Sequence, residues 1–463
     1  MSGMSRVIAT ACVAILVLAP VSAQDAPSFG FGDADAPASG TESSIPDGAF
    51  APAAAASSVR LSGELSAGAS AFVDELSGST SRETLELGDL FSGVVNLSVS
   101  GAMADGYLSL EAENPETGDS PFVIDEAYVR AYLGKTDIEA GLRKLAWGRA
   151  DSQGPLDVVN PQDQSDLTVV DEMERKIARP LVRVSRSLAP MTRVEAVLLP
   201  SFEGEGFATD GRWVPGKMIE LEAAMQQIVV AYAVTGDVTR VEEESDGLGH
   251  WQAGLRFTTT VGSVDLGAQY FYGYLKRPAV KVTLVPGTSL DIETLYNRYH
   301  QIGLDCATVL AGTNLRAELG VNLTEDMAGD DPSTYNPSIV WSLGFDRDVI
   351  AGLNLNLQGT GSVRLMDGGV GEEPFDFEDG TDMTRTRITA VVSKKLFRDE
   401  LELKTTAIFG VEDGDYYLIP AASWTRDDLS FELSTGVFGG RRSGELGCYD
   451  DNDYLKASVT VSF

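Results

Sequence analysis

The sequence contains little histidine, cysteine or positive charge. Histidine occurs only as His250 and His300, neither with a serine at a useful local spacing, so a hydrolytic triad would depend on one of them. Beyond the N-terminal segment only Cys306 and Cys448 remain, too few for a disulfide scaffold or a zinc cluster. The 69 acidic and 35 basic residues give a net charge of −34, which argues against nucleic acid as a partner. This composition predicts neither an enzyme nor a nucleic-acid-binding protein.

Long hydrophobic runs are also lacking, apart from one at the N-terminus. Arg6 precedes an apolar run over residues 7–18, and a small-residue triplet ends at Ala23, so residues 1–23 are predicted to be a cleaved signal peptide. No later stretch approaches 18 consecutive apolar residues, which argues against membrane-spanning helices. Residues 24–57 are rich in Ala, Pro, Gly and Ser, and are predicted to be a flexible periplasmic lead-in.

From residue 58 to residue 463 the chain alternates apolar and polar residues with the period of a β-strand, as in VRLSGELSAGASA and TDIEAGLRK. Short turns alternate with long polar connections along the chain, an asymmetry typical of outer-membrane barrels. The sequence therefore predicts an all-β protein: a transmembrane antiparallel barrel of about 18 strands (16–20), with long extracellular loops and short periplasmic turns. Residues 217–234 fit a helix or irregular plug in a loop, or one extra hairpin.

The C-terminal segment YLKASVTVSF has one apolar face and ends on an aromatic residue. Val459, Val461 and Phe463 lie on that face, which is typical of the signal read by the barrel assembly machinery. The predicted location is the outer membrane, with that machinery and outer-membrane lipid, or a lipopolysaccharide-like or lipoprotein surface, as partners.

Charged residues within the strands are predicted to face a polar lumen, because a charge facing the bilayer midplane costs about 2–4 kcal/mol. The segment RKLAWGRADSQGPLDVVNPQDQSD follows one such strand, and its turn initiator Asn160 suggests a long loop folding into the pore mouth over residues 146–178. The predicted basic wall consists of Arg130, Arg143, Arg149, Arg183 and Arg193, and the predicted pore and rim residues of the loop are Asp151, Asp157, Asn160 and Asp163. Opposed charge across a constriction would orient polar solutes and set an ion preference.

Several segments resemble a known family. They are GLRKLAWGRAD, DVVNPQD, GRWVPG, GLRFTTTVGSVDLGAQYFYGYLKRP and YNRYHQIGLD. They look like a family of porin-like spirochaete outer-membrane β-barrels that share a WG…NPxD loop, and the likeness covers roughly residues 120–350. The resemblance implies the fold and the location, but no substrate and no catalytic residue.

The function predicted first is passive diffusion of small polar solutes and ions through a channel narrowed by residues 146–178. The alternatives are a plugged barrel for hydrophobic compounds, guarded by Trp147 and residues 213–234, and a structural or adhesive surface barrel. No cofactor is predicted, although an acidic loop offers oxygen ligands suited to calcium, whose candidates are Asp376, Glu378 and Asp379. That loop lacks the spacing of a defined calcium site, and a charge run is usually a solvated surface.

Overall fold

The computed structural model describes residues 58–72, 85–86, 91–112, 122–242, 247–350 and 352–463. The predicted signal peptide and lead-in lie outside the described residues. No helix in the described part of the chain has both the length and the apolar character needed to cross a membrane.

Strands dominate the described chain. In chain order they are β1 (Ser58–Phe72), β2 (Leu85–Glu86), β3 (Ser92–Ser100), β4 (Ala104–Ala112), β5 (Phe122–Leu133), β6 (Thr136–Arg143), β7 (Arg179–Ala189), β8 (Thr192–Leu199), β9 (Val238–Glu242), β10 (Gln252–Val261), β11 (Val264–Tyr274), β12 (Ala279–Val285), β13 (Ser289–Leu295), β14 (Arg298–Leu310), β15 (Thr313–Thr324), β16 (Ser338–Ile350), β17 (Leu353–Arg364), β18 (Thr384–Leu396), β19 (Leu401–Gly410), β20 (Asp415–Arg426), β21 (Leu429–Gly439) and β22 (Tyr454–Ser462).

All of these strands except β2, β9, β12 and β13 form one closed antiparallel barrel of 18 strands. Each pairs with the next barrel strand along the chain, and β22 closes on β1, with Ala67 opposite Val459 and Phe72 opposite Tyr454. The predicted barrel and its strand number are confirmed.

The barrel strands carry apolar side chains outward and polar side chains inward. On β14, Ile302 and Leu304 are 54% and 58% exposed, whereas Gln301 and Asp305 are 1% and 4% exposed. Alternation follows from the pleat, which sends successive side chains to opposite faces. An exposed apolar exterior around a buried polar interior is the reverse of a water-soluble protein, and it matches a barrel whose exterior contacts lipid.

The connections differ in length between the two ends of the barrel. β14 and β15 are joined by Ala311 and Gly312, with φ angles of 51° and 76°, the left-handed pair that a tight two-residue hairpin requires. The longest connections at the opposite end span residues 144–178 and 200–251, as the alternation of short and long connectors predicted.

Two of the long connections, residues 200–251 and 275–297, contribute to a small folded unit of one helix and three strands. Helix α1 (Glu172–Arg175) lies in the 144–178 connection, and helix α2 (Gly216–Ala231) follows β8. The segment for which a helix, a plug or an extra hairpin was considered is thus helical. α2 packs through Met225 on Leu290 and Ile292 of a three-stranded sheet, in which β13 pairs with β12 and, in parallel, with β9. The sequence did not predict this sheet.

Candidate pore site

The connection between β6 and β7, residues 144–178, lies inside the barrel and is called the inner loop below. The buried side chain of Asn160 joins its two ends: its oxygen accepts from the Leu145 N–H (2.8 Å), and its amide donates to the Arg143 and Ile177 carbonyls (2.9 Å each). Asn160 was predicted as a pore residue, and its polar atoms are engaged within the neck of the loop.

Glu318, an inward-facing residue of β15, holds the first half of the inner loop. Its carboxylate accepts hydrogen bonds from the backbone N–H groups of Arg149, Ala150 (2.8 Å) and Leu156 (3.4 Å). Loop N–H groups have no ladder partner, and a carboxylate is a strong acceptor for them. Because Glu318 points into the lumen, this part of the loop lies against the inner wall.

Gln358 and Arg316 extend this anchorage to the neighbouring wall. The Gln358 side-chain oxygen accepts from the N–H groups of Asp151 (2.8 Å) and Ser152 (3.0 Å), and its amide donates to the Ser152 hydroxyl (2.6 Å). The Asp151 carboxylate forms an ion pair with Arg316 of β15. The predicted rim residue Asp151 therefore contacts the barrel wall.

Arg149 reaches from the inner loop to β11 and β14. Its guanidinium lies 2.8 Å from Asp305, whose side chain is fully buried, and 3.4 Å from Asp265. Arg256 of β10 binds the second oxygen of Asp305 at 2.8 Å. Two guanidinium groups thus share one buried carboxylate, which offsets the cost of burying its charge.

Trp147 anchors the loop on another part of the wall. Its indole N–H donates to Glu195 (2.7 Å), and its ring meets Phe271 edge-on at 6.3 Å. Gly254 makes room for the ring, because a Cβ there would lie 2.5 Å from it. Trp147 therefore fixes the inner loop to the barrel wall.

The middle of the inner loop crosses the lumen to β20 and β22. The Leu167 carbonyl accepts from the Tyr417 hydroxyl (2.8 Å), and the Thr168 hydroxyl lies 3.2 Å from the Lys456 ammonium. The chain then returns to β7. Contacts with β8, β15, β17, β20 and β22 spread the loop over more than half of the barrel circumference.

The predicted rim residues Asp157 and Asp163 have structural partners too. Asp157 forms an ion pair with the buried Lys176 (2.5 Å), whose ammonium also donates to the Leu145 carbonyl (2.8 Å). Asp163 forms an isolated parallel bridge with Gly206, which ties the inner loop to the next long connection.

Two ionisable groups at the inner loop are shifted toward neutral pH by burial. Burial raises the pKa of Glu172 to about 7, against the opposing effect of the hydrogen bond from the Gln153 N–H. Burial lowers the pKa of Lys276, which donates to the Val159 carbonyl (3.3 Å), to about 7. We therefore expect both groups to change charge near neutral pH.

The remaining predicted arginines lie on β5 to β8, each paired with a carboxylate from another of these four strands. The pairs are Arg130–Glu139 (2.5 Å), Arg143–Glu126 (2.8 Å), Arg183–Glu195 and Arg193–Asp137 (3.5 Å). These four arginines lie on four consecutive barrel strands. Four carboxylates accompany four arginines, so this part of the wall alternates in charge.

A second connection also enters the barrel, at Arg212 and Trp213, and is called the Trp213 segment. The Arg212 guanidinium lies 3.4 Å above the Phe72 ring. The Tyr449 hydroxyl and the Asn452 amide donate to the carbonyls of Trp213 (3.2 Å) and Arg212 (2.8 Å). The buried cluster around Trp213 consists of Phe72, Tyr417, Ile419, Phe438, Tyr449 and Tyr454.

Glu445, in the last long connection, binds three arginines from other parts of the chain. Its carboxylate lies 2.9 Å from Arg277, 3.0 Å from Arg385 and 2.8 Å from Arg387. These three guanidinium groups hold its pKa well below the usual range of a glutamate, against the opposing effect of burial.

Sequence reasoning did not select Glu318, Gln358 or Glu445. The inward phase of Glu318 and Gln358 was readable from the alternation of β15 and β17. Their partners were not, because a loop residue more than 150 positions earlier leaves no local signal.

The calcium candidates are engaged with the protein. Asp376 accepts from the N–H groups of Gly371 (2.8 Å) and Glu378 (2.9 Å), and Glu378 lies 3.6 Å from Arg364. In the ranges that the structure describes, no three His, Cys, Asp or Glu side chains converge as metal ligands.

The C-terminal residues complete the barrel wall. Val459 and Val461 belong to β22, and the backbone of Phe463 exchanges two hydrogen bonds of 2.9 Å with Gly63. Their use as an assembly signal stays a prediction.

No protein-family model and no curated protein matches this chain. Among solved structures, a BenF-like porin from Pseudomonas fluorescens Pf-5 matches with a TM-score of 0.50 and 9% identity, over 89% of this chain and 98% of that one. OccAB4 of Acinetobacter baumannii has a TM-score of 0.49 and 9% identity, over 89% and 98% of the two chains. OccK9 (OpdG) of Pseudomonas aeruginosa has a TM-score of 0.48 and 9% identity, over 88% of this chain and 97% of that one. At this identity the likeness to the BenF-like porin shows the fold alone, which is that of a porin-like β-barrel.

Proposed function

We propose that this protein is an integral outer-membrane channel through which small polar solutes and ions diffuse passively, narrowed by residues 146–178. The observation that carries the proposal is the reversed polarity of the barrel wall. Leu255 and Leu319 are exposed on its exterior, whereas Glu195, Arg256 and Glu318 are buried inside it. A polar interior lowers the cost of water and ions in the lumen, and an 18-strand barrel is wide enough for a channel.

The inner loop supports the proposed constriction. It lies across the lumen and is held on inward-facing residues, chiefly Glu195, Asp305, Glu318 and Gln358. Charged side chains of the loop and of the wall would then border the path of a solute, which is how pore linings set weak ion preference.

Planar-bilayer recording of the refolded protein tests this function. We expect stable open conductance, with a larger single-channel value after deletion of residues 150–170. A deletion of residues 368–380, in another long connection, is the matched control and should leave conductance close to wild type. A change of gel mobility on heating shows that the protein is folded. If protein folded by this criterion gave no conductance, the proposal would be wrong. Unchanged conductance and selectivity after the first deletion would contradict the constriction alone.

A plugged barrel for hydrophobic compounds is the second candidate, and the Trp213 segment favours it. This segment places a tryptophan among inward-facing aromatic rings, including Tyr417 and Phe438, which stack at 4.0 Å. Liposomes distinguish the two functions. Osmotic swelling in small sugars supports the channel, whereas accumulation of a hydrophobic dye without swelling supports the second candidate.

A further inference from the structure

Five side chains form a cationic and aromatic patch on the outside of the barrel, at the ends of β10, β11 and β14 that lead to the long connections. We call this patch the exterior cluster. It consists of Trp251, Tyr270, Tyr272, Arg298 and His300. None of these residues has a place in the proposed pore.

The exterior cluster is tightly organised. The Tyr270 hydroxyl lies 2.7 Å from His300 Nδ1, and the rings of Tyr272 and His300, which are direct cross-strand partners, lie 4.9 Å apart. Trp251 packs beside Tyr272 at 5.2 Å, and the Arg298 guanidinium lies 5.1 Å above the same ring. The rings hold the two basic side chains on one face of three adjacent strands.

Arg298 has spare hydrogen-bonding capacity. Its two terminal nitrogens donate to the carbonyls of Gly249 (2.7 Å) and Trp251 (3.4 Å), and a guanidinium has five N–H donors. Across the described ranges, no carboxylate forms an ion pair with Arg298, in a chain with 69 acidic and 35 basic residues. The lumen arginines, by contrast, are matched with carboxylates.

The depth of the cluster is that of the lipid headgroups. On the exterior of β14, Ile302 and Leu304 follow His300 toward the barrel middle and begin the apolar band. Alternate residues of a strand are about 7 Å apart, so His300 and Arg298 lie one and two such steps outside that band. Tyrosine and tryptophan are enriched at this membrane boundary, where one end of the ring is apolar and the other wet.

We propose that the exterior cluster binds the phosphate of a lipid in the outer leaflet. The Arg298 N–H groups beyond these two hydrogen bonds are donors for a phosphate, for which a guanidinium is a bidentate partner. When His300 Nδ1 accepts a hydrogen bond from the Tyr270 hydroxyl, the ring carries its hydrogen on Nε2, which is a second donor. Trp251 and Tyr272 offer apolar surface to the upper part of the lipid. The site depends on the barrel lying in a membrane and is independent of conductance.

Native mass spectrometry of the refolded full chain tests this site. The probe is dioleoyl phosphatidic acid, and dioleoylglycerol provides the same acyl chains without a phosphate. We expect Arg298→Gln to retain about fivefold less phosphatidic acid than wild type, since a basic residue near an anionic lipid surface contributes about that factor. Arg298→Lys keeps the positive charge but loses the planar guanidinium. It should retain an amount of phosphatidic acid between those of wild type and Arg298→Gln.

Two further variants keep the test decisive. His300→Gln should lower retention independently, and it serves if Arg298→Gln does not fold, as judged by heat-dependent gel mobility. Arg186→Gln removes an exposed arginine at the opposite end of the barrel and should leave retention unchanged. Equal retention by Arg298→Gln and wild type, or equal retention of the two lipids, would overturn the proposal. So would competition by inorganic phosphate as strong as by the lipid, because a membrane-depth site requires the acyl chains.

Discussion

The two segments that enter the barrel differ in their main contacts with it. The inner loop rests on charged and amide groups of the wall, such as Glu318 and Gln358, which accept its backbone N–H groups. The Trp213 segment rests on aromatic rings and contributes one of its own. Hydrogen bonds have strict geometry, so the first contact fixes where the loop lies. Burial of aromatic surface is less directional and larger in free energy, so the second contact contributes more to stability.

The largest effect should come from the aromatic contact. Trp213→Ala empties the centre of a buried cluster and should lower the free energy of unfolding by about 3–5 kcal/mol. Urea unfolding in detergent micelles, followed by circular dichroism, measures the change. Trp424→Ala, which removes an outward-facing ring stacked on Phe431, should cost less because its site is already exposed. Equal losses of unfolding free energy in Trp213→Ala and Trp424→Ala would contradict a special contribution of the buried cluster to stability.

Glu318→Gln should loosen the inner loop without unfolding the barrel. The amide presents a donor where three backbone donors converge, and lost hydrogen bonds to a charged group cost roughly 1.5–3 kcal/mol. Hydrogen exchange of residues 149–156 should become faster, while the barrel strands stay protected. Asp346→Asn is the control, since its partners Asn314 and Asn354 lie outside the inner loop. Unchanged exchange at 149–156 would show that Glu318 is not the anchor.

Glu172 should make the same loop respond to pH, with a smaller effect. Its pKa is raised from 4.5 to about 7, so the folded loop binds the proton more tightly than the unfolded chain does. The contribution of Glu172 to stability is therefore greatest below pH 4.5 and is lost as pH rises through 7. After correction for intrinsic rates, exchange in residues 153–176 should be slower at pH 5 than at pH 8. Glu172→Gln should flatten this difference, and a profile that keeps its slope would assign the response to another group.

Arg193→Gln should have the smallest effect on stability. Arg193 and Asp137 lie 3.5 Å apart and are partly exposed, and such pairs contribute less than about 1 kcal/mol. Removing an inward-facing positive charge should nevertheless shift the reversal potential toward cation selectivity. Arg186→Gln, on the exterior, should shift neither quantity. A selectivity equal to wild type for Arg193→Gln would remove that residue from the pore lining.

The sequence predicted the barrel because a period of two is a local pattern, repeated in every strand. For the same reason Glu139 and Arg183 could be placed inward. The aromatic cluster around Trp213 could not be predicted, because its rings come from strands far apart in the sequence, such as Phe72 in β1 and Tyr454 in β22. The sheet of β9 and β13 escaped prediction because parallel partners in two separate connections share no turn signal.

The inner loop is synthesised long before the wall that holds it. Glu318 comes 169 residues after Arg149, Gln358 comes 207 after Asp151, and Tyr417 comes 250 after Leu167. Contacts between such distant positions form slowly, because a large loop must close before they gain anything. The full set of these contacts needs β20 in the sheet, so we expect the loop to dock on the wall late in folding.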